Sequence, residues 1–276
     1  MNRRVSTILT LAALAVTATA DEIPKVRVVT YNVLADARQR RQRLPALMKL
    51  LADAEADVIA LQEVTPWLLH ELRGQAWAKA YHMPMKDGQP WPPGGLLIMS
   101  RNPIRNPRAG PLPGRQGRAW LVVETQVGGV QVAVATCHLE SPLAAGHTRA
   151  KQLDVFFDRL HGHGDALFLG DFNFGDGEQP ETARLREAYV DAWRATQGDS
   201  RGFTWDMHRS AMARRGAFQG EVSRRLDRIL VKSNALRPAK AVIIGDEPVD
   251  TEGHVFPSDH FGLLVELTVA TGRTAE

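Results

Sequence analysis

Apolar residues along this chain come in short runs with two distinct periods. Val26 to Asn32, Asp57 to Gln62 and Ala166 to Leu169 are nearly continuous apolar runs, the pattern of strands buried on both faces. Trp120 to Val127 and Val130 to Cys137 alternate on either side of Gly128-Gly129, which predicts a β-hairpin. Leu226 to Val231, Ala241 to Ile244 and Phe261 to Val269 add three more strands. Leu44, Leu47, Met48 and Leu51 sit at helical spacing and predict an amphipathic helix from about Arg40 to Ala54; Leu153, Phe156, Phe157 and Leu160 mark a second. Pro84 to Pro113 reads as loop-rich around the short apolar stretch Leu96 to Met99. Hairpins mixed with crossovers argue for an α/β or α+β domain with mixed sheets, not a purely parallel doubly wound fold.

Composition narrows the class. The 276 residues are 44% hydrophobic and 24% charged, ordinary globular values that exclude a disordered chain or a coiled coil. The single cysteine, Cys137, excludes an internal disulfide framework and a multi-cysteine zinc module. Residues 1–20 read as a signal peptide: Arg3 and Arg4, the apolar run Ile8 to Val16, then the small-residue site Ala18-Thr19-Ala20. The expectation is an exported protein, periplasmic or secreted, with one domain over 21–276 and no membrane insertion after cleavage. A formal net charge of +3 says little about partners. Two local clusters say more. Arg101 to Arg118 holds five arginines and no acid, and Arg201 to Arg228 holds seven against three acids. Such clusters suit a phosphate-bearing partner, against the plainer reading of a solvated basic surface.

Polar residues of one chemical kind end or open the strand runs. Asn32 ends the first, Glu63 follows the second, His138 follows Val-Ala-Thr-Cys, and Asp171 and Asn173 follow Leu-Phe-Leu-Gly. Asp227 opens Leu-Asp-Arg-Ile-Leu-Val, and Asp259 and His260 precede Phe-Gly-Leu-Leu-Val. Any one of them alone is a turn former or a cap; a core does not require the set. Glu63, Asp259 and Asn32 offer hard oxygen donors suited to Mg²⁺ or Mn²⁺. Asp171 and Asn173 can orient and deprotonate a water, while Asp227 can hold one nitrogen of His260 and leave the other to face a phosphoryl oxygen.

At these residues the chain resembles the endonuclease/exonuclease/phosphatase superfamily. The resemblance is carried by Thr-Tyr-Asn, Leu-Gln-Glu, Thr-Cys-His-Leu, Gly-Asp-Phe-Asn, Leu-Asp-Arg-Ile and Ser-Asp-His, in family order from Thr30 to Leu264. Within it, His138-Leu139-Glu140-Ser141, Thr204-Trp205-Asp206 and Phe256-Pro257-Ser258-Asp259-His260 are most similar to the tyrosyl-DNA phosphodiesterase 2 branch. The resemblance implies a four-layer sandwich, two mixed β-sheets face to face with helices outside. It implies a monomeric Mg²⁺- or Mn²⁺-dependent phosphodiesterase acting on nucleic acid, including 5′-phosphotyrosyl–DNA bonds. Glu63, with Asp259, is then the metal site; Asn32, His138, Asp171, Asn173, Asp227 and His260 are catalytic; Ser141 contacts phosphate and Trp205 walls the cleft. Leu34 stands where many members have an acid, Asp36 comes two positions late, and Gly175 replaces an arginine for which the Arg201 to Arg228 segment is the candidate substitute. A lipid-headgroup phosphoesterase and a non-catalytic binding module are the competing readings.

Overall fold

The strand runs form strands, and the register of those strands is what assembles the polar residues at their ends. The computed structural model describes residues 25–84 and 93–270; the signal-peptide reading of residues 1–20 lies outside them. In chain order the elements are β1 (Lys25–Asn32), α1 (Arg40–Asp53), β2 (Val58–Gln62), α2 (Pro66–Gly74), β3 (Leu97–Ser100), β4 (Arg105–Pro111), β5 (Ala119–Val127) and β6 (Val130–His138). They continue with α3 (Gly146–Leu160), β7 (Ala166–Asp171), β8 (Val190–Asp191), α4 (Ala192–Gln197), α5 (Ala211–Gly216), β9 (Asp227–Lys232), β10 (Leu236–Ile244) and β11 (Gly262–Val269).

Two mixed sheets result. One runs β10-β11-β1-β2-β3, the other β4-β5-β6-β7-β9-β8. Alternation along the strands sorts the apolar residues into three layers. Val26, Val28, Val58 and Ile98 of the first sheet meet Val123, Val134, Leu167, Leu169 and Ile229 of the second between the sheets. On the outer face of the first sheet, Val29, Tyr31, Ile59 and Leu61 pack under Leu47 and Leu51 of α1 and Leu68 and Leu72 of α2. On the outer face of the second, Val122, Ala135 and Phe168 pack under Leu153, Phe156 and Leu160 of α3. The architecture is therefore helix, sheet, sheet, helix, the expected sandwich. Two buried polar ties cross it: Gln62 Nε2 donates to Thr30 Oγ1 at 3.2 Å within its own sheet and to Thr136 Oγ1 at 3.0 Å in the other, and the Ser100 and Thr125 hydroxyls hydrogen-bond at 2.9 Å.

The loop-rich reading of Pro84 to Pro113 is corrected in part, because β3 and β4 lie within it. β3 is only four residues long, all buried, and pairs with β2. β4 has no apolar alternation because it is an exposed edge strand held to β5 by backbone pairing, a position that tolerates Pro107 and Pro111. Among the described residues no helix is long and apolar enough to cross a membrane.

Candidate active site

Parallel pairing puts strand ends at the same edge of a sheet. β1 and β2 run parallel with Asn32 opposite Gln62, so Asn32 and Glu63 emerge together. β6 and β7 run parallel with His138 opposite Asp171, and β9 runs antiparallel with Asp171 opposite Asp227. Gly170 permits this approach: its φ is +148°, and a Cβ there would lie 2.2 Å from the Cys137 carbonyl oxygen. Asp227 and the segment ahead of β11 are joined through Thr204. Its hydroxyl accepts from the Leu226 and Asp227 amides at 3.0 Å each, while its carbonyl accepts from the Phe261 amide. From the other side Arg43 of α1 donates to the Pro257 carbonyl at 3.1 Å, and Ser258 Oγ donates to the Asn32 carbonyl at 2.7 Å.

All ten residues expected in the site line or adjoin one cleft of about 160 Å³. Asn32, Glu63, His138, Ser141, Asp171, Asn173, Trp205, Asp259 and His260 form its wall, with Asp227 directly behind His260. Asp171 is the centre. Its Oδ2 accepts from Asn32 Nδ2 at 3.0 Å and lies 3.4 Å from His138 Nε2 and 3.7 Å from His260 Nε2. Its Oδ1 accepts from the Asn173 amide at 2.9 Å. Asn173 sits at φ +54° and its Nδ2 donates to the Leu139 carbonyl at 3.0 Å, which holds the side chain against the cleft. Glu63 is also left-handed, at φ +61°, and such backbone strain collects where geometry is fixed for function.

Electrostatics separates the two histidines. Arg118 Nη1 lies 2.8 Å from His138 Nδ1. A guanidinium has no acceptor, so Nδ1 must accept and His138 carries its proton on Nε2, facing Asp171. Burial and the Arg118 charge push the His138 imidazolium down to about 4, so the ring is neutral near pH 7. For His260 burial opposes protonation, but Asp227, 2.9 Å from Nδ1, and Asp171 overcome it and raise the group to about 10. Burial likewise works against the Asp171 carboxylate, yet the charge of His260 and the Asn32 hydrogen bond hold it below the usual range.

Asn32 bridges the two carboxylates, since its Nδ2 also donates to Glu63 Oε1 at 3.1 Å and its Oδ1 accepts from the Leu34 amide at 3.2 Å. The donor set fits a hard divalent cation. Glu63 and Asp259 both face the cleft, and burial together with the Glu63 charge pushes the Asp259 carboxyl up. A divalent cation relieves that like-charge repulsion. A second group, Asp171, Asp227 and His260, has ligand atoms within 4.8 Å of one another, but Asp227 already hydrogen-bonds His260 and Asp171 already accepts from Asn32 and the Asn173 amide. Asp36 does not replace the acid absent at Leu34, because its Oδ1 accepts from the Arg38 amide at 2.7 Å and the Arg38 guanidinium pairs with it. Over Gly175, a Cβ would touch Arg224 Cδ at 3.3 Å, so an arginine of the expected segment does lie there. Its guanidinium is matched by Glu178 and Glu221 and is not a free charge.

Trp205 is less exposed than a stacking platform. It is 6% exposed, packs on Ala213 and Leu226, and holds its ring 4.9 Å from that of His260. Cys137 is wholly buried and burial pushes its thiol up, so it is inert. Sequence reasoning missed Gln116, and it named Arg118 only as part of a basic cluster and Thr204 only within a motif, with no role for either. Gln116 Oε1 accepts from Ser141 N at 2.8 Å, Ser141 Oγ at 3.0 Å and Arg118 Nη2 at 3.2 Å, tying one loop to the cleft wall. The acid-free arginine cluster was the available signal for Arg118.

Comparison with known proteins places this arrangement. Tyrosyl-DNA phosphodiesterase 2 of Rattus norvegicus is 29% identical over 87% of this chain and 66% of its own length, and that of Homo sapiens 26% over 87% and 67%. The chain thus spans about two thirds of the length of these curated relatives. Among solved structures, a humanized D. rerio TDP2 superposes with a TM-score of 0.71 at 26% identity, covering 88% of this chain and 99% of that one. The human Nocturnin catalytic domain with bound sulfate shares the fold, with a TM-score of 0.64 at 19% identity over 91% and 97% of the two chains. The relatives overturn the expectation of an exported protein. They are named for a tyrosyl–DNA bond, a DNA substrate that export does not serve. The signal-peptide reading gains no support from them. The sequence profile of the Endonuclease/Exonuclease/phosphatase family matches residues 29–260, and every strand-end residue of the cleft described above falls inside that span. This chain belongs to the endonuclease/exonuclease/phosphatase family.

Proposed function

We propose that this chain is a divalent-metal-dependent phosphodiesterase that hydrolyses nucleic-acid phosphodiesters by in-line water attack, with the 5′-phosphotyrosyl–DNA bond as its preferred target. The observation that carries the reading is the position of Asp171, a buried carboxylate kept ionised between two imidazoles at the floor of the cleft. The names of the relatives support the choice of substrate.

Asp171 accepts a hydrogen bond from the attacking water and takes its proton, while the Asn173 carboxamide fixes the water's direction. A depressed carboxylate is a weak base, but in a loose phosphoryl-transfer transition state positioning outweighs basicity. His260, kept protonated by Asp227, donates from Nε2 to a phosphoryl oxygen as charge accumulates. His138 donates from Nε2 as a neutral group, its tautomer set by Arg118. Arg118 and Ser141 bind a second phosphoryl oxygen from the rim. Asn32 keeps the Glu63 and Asp171 carboxylates apart and oriented. Glu63 and Asp259 are the residues that would hold the cation, their hard oxygens suiting Mg²⁺ or Mn²⁺. When bound, the cation supplies Lewis-acid charge against the phosphoryl and leaving oxygens.

The testing assay gives the purified chain Mg²⁺ and a panel: a 5′-phosphotyrosyl oligonucleotide, single- and double-stranded DNA, RNA, sphingomyelin and bis-p-nitrophenyl phosphate. The proposal requires the highest kcat/KM on the phosphotyrosyl oligonucleotide. Faster hydrolysis of sphingomyelin overturns it.

A further inference from the structure

The two arginine clusters have different fates in the fold. In the Arg201 to Arg228 segment the charges are largely matched internally. Arg225 and Arg228 pair with Asp176 and Asp191, Arg224 with Glu178 and Glu221, and Arg209 with Asp246. That cluster is a structural ion network. Arg105, Arg108 and Arg115 of the first cluster are exposed, and among the described residues their side chains make no ion pair or hydrogen bond. Unmatched charge held on a fixed backbone is what a polyanion site requires.

The backbone that carries these arginines is fixed and leads to the cleft. Arg105 and Arg108 lie on edge strand β4, opposite Glu124 and Val122 of β5. Pro111, at the end of β4, pairs with Ala119, next in sequence to Arg118 of the cleft wall. At about 3.3 Å per residue, Arg108 is about 10 Å and Arg105 about 20 Å along the strand from that point. Arg115 sits on the intervening loop, which is built rather than loose. Buried Glu140 accepts from the Arg115 and Gln116 amides at 2.8 and 3.1 Å, and buried Gln152 donates to the Pro113 carbonyl at 2.7 Å. The same loop places Arg118 in the cleft wall and ties Gln116 to Arg118 and Ser141 beside it. On the adjoining face Arg159 of α3 lies over the Trp120 ring at 4.8 Å, adding a fourth cation without an ion pair among the described residues. Glu124 is the acid on this side of β5, and it accepts from Asn106.

We propose that Arg115, Arg108 and Arg105 form a phosphate-backbone track, running from the cleft rim along β4, for the single-stranded flank of a nucleic-acid substrate. The proposal rests on the nucleic-acid reading of the cleft and adds to it where the uncleaved strand lies. Each arginine neutralises a phosphate and releases counterions, so affinity for a single strand falls by about 0.7 logarithmic units per contact for each tenfold rise in salt. The track binds backbone and carries no base readout, so it is indifferent to sequence.

The test compares the full chain with the triple variant Arg105→Gln, Arg108→Gln, Arg115→Gln, none of which touches the catalytic groups. Binding of a fluorescein-labelled single strand of about twenty nucleotides is measured by anisotropy from low to moderate salt. Turnover of bis-p-nitrophenyl phosphate, which is too small to reach the track, is measured in parallel. The expected salt slope is smaller by about 2 in the variant, so that a fourfold rise in salt costs the unmodified chain about 20-fold more affinity than it costs the variant. Turnover of the small diester is unchanged. Equal affinity and equal slope in the two proteins overturn the track, whether or not the strand is cleaved. Tighter binding to phosphatidylserine vesicles than to the oligonucleotide, lost in the variant, overturns it in favour of a membrane surface. An oligonucleotide that binds along the track yet is never hydrolysed defeats the functional reading of the cleft and leaves the track standing.

Discussion

Arg118 and His138 show how one contact decides a residue's chemistry. Without the guanidinium at 2.8 Å, either ring nitrogen of His138 could carry the proton, and burial alone would depress the group. Arg118→Gln removes the charge and keeps a polar side chain. The expected result is a rise of the His138 pKa from about 4 toward, but not up to, its ordinary 6.5, read by NMR titration of the ring. The sign follows from the cation's removal, which favours the protonated imidazole while burial still opposes it. A titration unchanged by the substitution would show that Arg118 has no such control. At this scale the sequence reveals residues whose chemistry stands at the end of an apolar run, such as Glu63, His138 and Asp171. It hides Arg118, Gln116 and Thr204, because their roles arise only from contacts with strands far away along the chain.

Elements position these groups through register, and register has tight points. Gly170 lies where β7 passes the Cys137 carbonyl, in a conformation that L side chains rarely adopt. Gly170→Ala therefore adds both a clash and backbone strain, and is expected to cost at least about 2 kcal/mol in urea denaturation. A variant as stable as the unmodified protein would refute the close approach. The turn after β7 is joined to β8 and β9 by Asp176 and Asp191 paired with buried Arg225 and Arg228. Burial acts against the Asp176 carboxylate, but the arginines outweigh it and hold its carboxyl well below the ordinary 3.8. A depressed folded-state pKa means stability that is complete above the ordinary carboxylate range and is lost as pH falls below it toward the folded value. Asp176→Asn is thus expected to lower Tm at neutral pH and to flatten the acid limb of Tm against pH; an acid limb of unchanged steepness would remove Asp176 from the account. The buried strands were legible because a strand covered on both faces must be apolar throughout. β4 was not, since an edge strand held by its backbone imposes no such pattern.

At the scale of the whole molecule, two sheets packed over an apolar layer hold six strand ends at one rim, and Glu63 and Asp259 stand at that rim rather than in the layer. Removal of divalent metal by EDTA is accordingly expected to abolish turnover and leave Tm within a few degrees, with Mg²⁺ or Mn²⁺ restoring activity; full turnover in chelator would exclude a metal-dependent reaction. Family and architecture could be read from the order of the motifs. Location could not, because a short apolar run after two arginines resembles a leader whatever the remaining chain does, and the relatives, named for a tyrosyl–DNA bond, give an exported protein no support. The most direct test of the central claim is the single-turnover rate of the Asp171→Asn variant on a 5′-phosphotyrosyl oligonucleotide, with near-UV circular dichroism to establish the fold. A native spectrum with a rate lower by at least about two to three powers of ten is the predicted result, the usual worth of one proton-accepting group in a prearranged site. A native spectrum with a rate equal to that of the unmodified chain would contradict the assignment of Asp171 and with it the mechanism.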